Sequence, residues 1–276
     1  FASFPKSGNT WLRAMVSGVL EGGEVRLRDV VRRFTDMTQG AVFTEFGLTP
    51  SVLDDRQAQQ LVTAAAEAQA RRSTGMLFRK SHSAYGPPGD ARRTEHNLAT
   101  GAKALYVVRD PRAVAPSLAH HLGVDLERAV QTLKEGALID TPEEIDDRYL
   151  IGGPRVASDW GSWSVNVLTW LDQSEIPVHV IRYEDLIDDP HAKLTGALDW
   201  LGIEATDELI AKPVEKSSFD RLALQEALTG FAEAVSPSTA FFRKGRADSW
   251  KDELPDALAQ QIVADHAPVM ERLGYL

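Results

Sequence analysis

The opening stretch FASFPKSGNTWLRA constrains this chain more than any other. A short apolar run, Phe1–Phe4, meets the tight segment Pro5-Lys6-Ser7-Gly8-Asn9-Thr10, and an amphipathic helix then begins near Thr10-Trp11. Strand, tight loop and helix N-terminus together make an anion cradle. The first-turn N–H groups have no intrahelical partner, and the helix dipole is positive at that end. Lys6 adds a full charge, Ser7 and Thr10 add hydroxyl donors, and Gly8 lets the backbone approach a ligand closely. The spacing is not that of the Walker loop, which requires Gly just before the Lys; here that position is Pro5. Taken alone, the stretch also fits an ordinary βα turn carrying a surface lysine.

With 276 residues and 43% apolar side chains, the chain can fill a sizeable core. It has no cysteine, which excludes disulfides, thiol catalysis and cysteine-ligated metals and suits a reducing cytoplasm. No apolar run is long enough for a spanning helix. The chain opens inside what reads as a first strand, so leading residues are expected ahead of it. A net charge of −10 speaks against a nucleic-acid surface. Yet Lys6, Arg13, Arg79, Lys80, Arg109, Arg112, Arg243, Lys244 and Arg246 gather in short motifs, which points to a local anionic ligand.

Along the chain, Trp11, Leu12, Met15, Val16, Val19 and Leu20 form an apolar stripe on a helix from about Asn9 to Leu20. Residues 22–50 carry no clear pattern, and Asp54–Arg72 reads as a helix. Met76–Lys80 reads as a strand ending in Ser81-His82, before a loop at Tyr85–Gly89. A Lys-x-His at a strand's carboxyl end is where an active-site base is wanted, although a lone His is more often structural. Lys103–Val108 is a buried-strand run, followed by Arg109-Asp110-Pro111-Arg112 and a helix through Leu118 that Pro116 should kink. Asp140–Asp147 holds five carboxylates, as either a solvated loop or part of a mobile lid over about residues 120–158. Trp160–Leu171 reads as a helix packed mainly into the core, with Trp160 a candidate to face an acceptor. Pro177–Arg182 is a strand, His191–Leu201 a helix, Glu215–Leu228 one helix, Phe231–Ser249 a loop and Leu254–Leu273 a closing helix.

PKSGNTW resembles the PKSGTTW loop of the cytosolic-type sulfotransferases, whose donor is 3′-phosphoadenosine 5′-phosphosulfate (PAPS). Further pieces follow in order: KSH at residues 80–82, RDPRAVAPS at 109–117, YED at 183–185, SSF at 217–219 and RKG at 243–245. The resemblance runs from Phe1 to about Lys251, and GSWSVNVLTWL resembles a segment of bacterial members of the family. It implies a single α/β domain over residues 1–276: a central parallel β-sheet flanked by helices, in the P-loop-kinase-like sulfotransferase fold. It implies His82 as the catalytic base, with Lys6 and Lys80 neutralising charge on the phosphate oxygens. Ser7, Gly8, Asn9, Thr10 and Trp11 would hold the 5′-phosphosulfate end. Arg109, Ser117, Arg243, Lys244 and Gly245 would hold the 3′-phosphate, and Trp11, Tyr183, Ser217 and Phe219 would enclose the adenine. Two features depart from the family: Asp248-Ser249 stands where Gly-Asp is common, and the C-terminal dimerisation element is not recognisable.

The reaction implied is in-line sulfuryl transfer to a hydroxyl or amine of a small-molecule, natural-product or lipid acceptor. The product is adenosine 3′,5′-bisphosphate (PAP), no metal is required, and the setting is cytoplasmic. Such a base works best with a pKa near the operating pH; should His82 not serve, Glu45 is the next candidate. Two other readings stay open on sequence alone: a P-loop kinase acting on a small molecule, and a catalytically silent nucleotide-binding module.

Overall fold

In the computed structural model, residues 1–35, 64, 68, 70–86, 101–139, 158–234 and 239–276 are described. The apolar N-terminal run lies in the middle of the sheet. Ala2 forms parallel bridges to Ser81 on one side and Tyr106 on the other. Its N–H donates to the Leu105 carbonyl at 2.8 Å, and its carbonyl accepts from the Val107 N–H at 2.9 Å. Beyond Ser81, strand β2 (Phe78–Arg79) pairs in parallel with β1 (Phe34–Thr35). On the other side β3 (Ala104–Val108) pairs in parallel with β6 (Val178–Arg182) through five residue pairs. The order across the sheet is therefore β1, β2, the N-terminal segment, β3, β6. Residues leaving the carboxyl ends of the three central segments converge on one edge, where ligands bind in such sheets.

Helices cover both faces. All of β3 is buried, and its side chains alternate between two cores with the two-residue period of a strand. Leu105 and Val107 pack with α1 (Asn9–Leu20), α2 (Leu27–Arg33), α7 (Pro190–Leu201), α8 (Asp207–Lys216) and α9 (Phe219–Thr229). Tyr106 and Val108 pack with α3 (Pro111–Leu122), α4 (Leu126–Glu135), α5 (Trp163–Leu171) and α11 (Asp256–Arg272). The remaining described elements are the antiparallel pair β4 (Leu138–Ile139) and β5 (Ser158–Asp159), α6 (Tyr183–Asp188) and α10 (Trp250–Glu253).

Helix α1 has the bounds its apolar stripe predicts. Helix α3 runs on past Leu118 with Pro116 inside it, and Asp110 caps it by accepting from the Arg112 N–H. Met76 and Leu77 are about half exposed and lie outside β2, so that strand is shorter than expected. The single helix expected over Glu215–Leu228 is two: α8 ends at Lys216, and α9 begins at Phe219 behind an extended Ser218. Ser217 turns back on the end of α8, its N–H donating to the Pro213 carbonyl. Trp160 is buried edge-on against Phe4, a core position before α5 rather than within it. Residues 120–139 of the segment expected as a lid are largely α4 and β4, with Ala129, Val130 and Leu133 fully in the core. The acidic run Asp140–Asp147, Glu45 and most of Asp54–Arg72 lie outside the described residues.

Candidate active site

The loop before α1 is bent twice into the left-handed region, at Lys6 (φ 65°) and Gly8 (φ 100°). For a residue with a Cβ this costs of order 1 kcal/mol or more, and such residues cluster at functional sites. Gly8 is needed for a second reason: a Cβ there would lie 2.4 Å from Tyr183 Cδ2. Tyr183 stands edge-on to Trp11 with ring centroids 6.1 Å apart, and the Arg109 guanidinium lies 4.4 Å over its ring. Trp11, Tyr183 and the loop backbone thus meet.

Arg109 joins two loops that are far apart in sequence. It is buried, donating through Nη1 to the Lys6 carbonyl at 3.2 Å and through Nη2 to the Arg246 carbonyl at 3.0 Å. The RKG loop also lies close against Phe219, since a Cβ on Gly245 (φ 65°) would fall within 2.4–2.9 Å of its ring. Arg243 makes a fork with the Glu253 carboxylate, and Lys244 Nζ reaches the same group at 3.1 Å. Ser117 lies half-buried on α3, and the Ser217 hydroxyl donates weakly to the Val214 carbonyl at 3.4 Å; no described contact joins either to Arg109 or Tyr183.

At the end of β2, His82 is held from behind. Its Nδ1 lies 3.0 Å from the Ser3 carbonyl and 3.3 Å from the Ser3 hydroxyl. A carbonyl only accepts, so Nδ1 carries the proton and Nε2 keeps the lone pair. Burial and then Lys80 lower the His82 pKa to about 3, with the Ser3 carbonyl opposing. That is well below the near-neutral value expected for such a base. The ring is therefore uncharged at neutral pH, with Nε2 unprotonated, but it is an intrinsically weak base unless negative charge arrives beside it. Burial pushes the Lys6 ammonium down to about 8, with Glu233 opposing and Arg109 adding to the shift. Lys6 Nζ lies 3.7 Å over the Phe241 ring.

Two residues here, Glu233 and His121, escape a motif reading, and both stand beside cations that did not. Arg13, fully buried on α1, forks onto Glu233 at 2.9 and 2.7 Å. Glu233 also accepts from Lys80 Nζ at 3.1 Å and from the Thr10 hydroxyl at 3.0 Å. His121 lies edge-on to Phe241 at 5.9 Å, its pKa lowered to about 3 by burial and then by Lys6, His82 and Lys80. It stands four residues after Ser117, one helical turn on, and that spacing is the signal that would have found it.

The residues present fit a phosphorylated nucleotide. Ser7 Oγ, Asn9 Nδ2, Trp11 Nε1, Arg109 Nε and Arg243 Nε are buried polar atoms without a hydrogen-bond partner in the protein. Such atoms are costly unless something satisfies them. Among the described residues, no helix is long and apolar enough to cross a membrane.

A family model described as a sulfotransferase domain matches residues 1–274. Sulfotransferase 1A1 of Canis lupus familiaris is 24% identical over 99% of this chain and 83% of its own length. Sulfotransferase 1B1 of the same organism is 26% identical over 91% of this chain and 76% of its own length. Retinol dehydratase, solved in complex with androsterone and the inactive cofactor PAP, gives a TM-score of 0.63 at 18% identity, over 98% of this chain and 79% of that one. That last likeness is one of fold.

Proposed function

The chain belongs to the sulfotransferase family, and from that premise we propose how its residues divide the work. The reaction is transfer of the sulfuryl group of PAPS to an acceptor. PAPS supplies that group and leaves as PAP. His82 Nε2 takes the proton as the acceptor oxygen or nitrogen forms its bond to sulfur and the sulfur–oxygen bond to the phosphate breaks. Lys80 and Lys6 offset the negative charge that grows on the leaving phosphate oxygens. Ser7, Gly8, Asn9, Thr10 and Trp11 seat the phosphosulfate end. Arg109, Ser117, Arg243, Lys244 and Gly245 hold the 3′-phosphate, and Trp11, Tyr183, Ser217 and Phe219 flank the adenine. Anions bound beside His82 raise its pKa from about 3 toward the range where a base is effective.

The observation that carries this reading is His82 itself. Its proton is fixed on Nδ1 by Ser3, and Lys80 stands two residues before it at the same strand end. The acceptor is a small molecule bearing a hydroxyl or amine, and a hydroxylated natural product or lipid is favoured by the Phe241 ring beside Lys6, against which Phe231 and Phe242 pack. A bacterial source and a cytoplasmic setting belong to the same proposal; they rest on the GSWSVNVLTWL segment and the lack of cysteine.

The test is mass-spectrometric screening of alcohols and phenols for an added sulfo group, with PAPS and no metal. A parallel arm supplies ATP with magnesium. Sulfo products in the first arm alone are expected; phosphorylated products in the second would revive the kinase reading, and no product in either would favour a silent module.

A further inference from the structure

Glu233 is the described carboxylate set deepest among the cations of the site. Its side chain is 12% exposed, Lys80 is 10% exposed and Arg13 is fully buried. Every oxygen is shared. Oε1 accepts from Arg13 Nη1 and Lys80 Nζ, and Oε2 accepts from Arg13 Nη2 and the Thr10 hydroxyl. Arg13 is fixed in turn by Asn9 Oδ1 at 2.6 Å and by Thr10 Oγ1 at 2.9 Å.

Two roles are open to a carboxylate placed so. It could stand in the phosphosulfate seat and leave when the donor arrives, or it could stay and hold its partners in place. The burial of Arg13 decides between them. Expelling Glu233 would strand a desolvated guanidinium, and a buried charge left without its partner is strongly destabilising. Burial alone would raise the Glu233 pKa, but Arg13 and Lys80 outweigh it and hold the carboxyl well below the usual carboxylate range. The group stays ionised.

We infer that Glu233, clasped by Arg13, is a positioning residue for the transfer step: it fixes the Lys80 ammonium beside the reacting sulfuryl group. The inference rests on the proposed role of Lys80 in transfer. Glu233 touches no reacting atom; it acts through Lys80. It also cancels the Arg13 charge, so that the net field comes from the two lysines.

The experiment is a double-mutant cycle on the full chain with Glu233→Gln, Lys80→Met and the pair, measuring kcat, the pH profile of kcat/KM for PAPS, and PAP affinity by calorimetry. Glu233→Gln keeps the shape and removes the charge. It is expected to lower kcat by about 10- to 100-fold, the size of effect that follows a small misplacement of a catalytic group. PAP affinity should stay within about threefold. The two substitutions should be less than additive, because Glu233 acts through Lys80. The alkaline limb adds a readout that a purely structural clasp would not move. Lys6 is faced by Glu233, Arg109, Glu226, Arg243 and His121. Removing the negative charge of Glu233 lowers its pKa further below about 8, so activity is lost at lower pH as the ammonium deprotonates.

Unchanged kcat and an unmoved alkaline limb would reduce Glu233 to a structural clasp and overturn the inference. Tighter PAP binding with turnover retained would make it a competitor for the anion seat and also overturn it. If Lys80→Met alone leaves kcat intact, the proposed role of Lys80 fails first and takes this one with it. Should Glu233→Gln not fold, Glu233→Asp carries the same measurements: it keeps the charge but is one methylene short, so an intermediate kcat with a normal alkaline limb supports the inference, and a normal kcat overturns it.

Discussion

Glu233 and Glu253 face the cations at opposite ends of the candidate donor site, and their surroundings differ. Glu233 lies with a fully buried Arg13 and a Lys80 that is 10% exposed. Glu253 pairs with Arg243 and Lys244, which are 23% and 42% exposed. A buried pair is costly to break, whereas a partly solvated pair is worth about 1 kcal/mol or less. On the proposed assignment, the end that would carry out transfer has Lys80 on a buried frame, whereas the end that would hold the 3′-phosphate carries cations whose carboxylate partner can be exchanged cheaply for a phosphate. The general lesson is that one site can separate rigidity for chemistry from exchangeability for binding.

The strongest way to break this contrast is His82→Ala. The ring makes no described contact with the residues assigned to the 3′-phosphate or adenine. Turnover should fall by about 10²–10⁴-fold, the contribution of a positioned base, while PAP affinity by calorimetry holds. A near-normal rate would move the base elsewhere, and lost PAP binding would contradict the separation of the two ends.

Arg243→Ala is the mirror test. Losing charge-assisted hydrogen bonds, at about 1.5–3 kcal/mol each, should weaken PAP by at least about tenfold. Saturating PAPS should restore kcat. A kcat that stays low at saturation would place Arg243 in the transfer step.

The smallest effect sharpens the contrast. Glu253→Gln removes the carboxylate that a 3′-phosphate would displace, so PAP should bind about two- to fivefold tighter at low salt. The gain should shrink as salt screens the exposed cations. Weaker binding instead would show that Glu253 aims Arg243 rather than competing with phosphate.

What can be read from the sequence follows the same division. Helix α1 and the buried strand β3 are contiguous pieces whose apolar patterns give their conformation, so both are legible in the sequence alone. Glu233 is not, because its partners Lys80, Arg13 and Thr10 lie 153, 220 and 223 residues away. Arg13 is counted with the basic motifs, but nothing in its local sequence names a carboxylate as its partner. The break at Ser217-Ser218 is hidden because Ile210, Val214 and Leu222, four and eight residues apart, keep a helix-compatible spacing across it. The depressed His82 pKa comes from burial and from Lys80, a packing outcome that no motif encodes.

The central claim is that this chain is built around a nucleotide with a phosphate at each end of its ribose. Calorimetric titration with PAP and with adenosine 5′-monophosphate tests it most directly. Arg109, Arg243 and Lys244 have no role with the monophosphate, so PAP should bind at least about tenfold more tightly. Equal affinity for the two nucleotides would contradict the account.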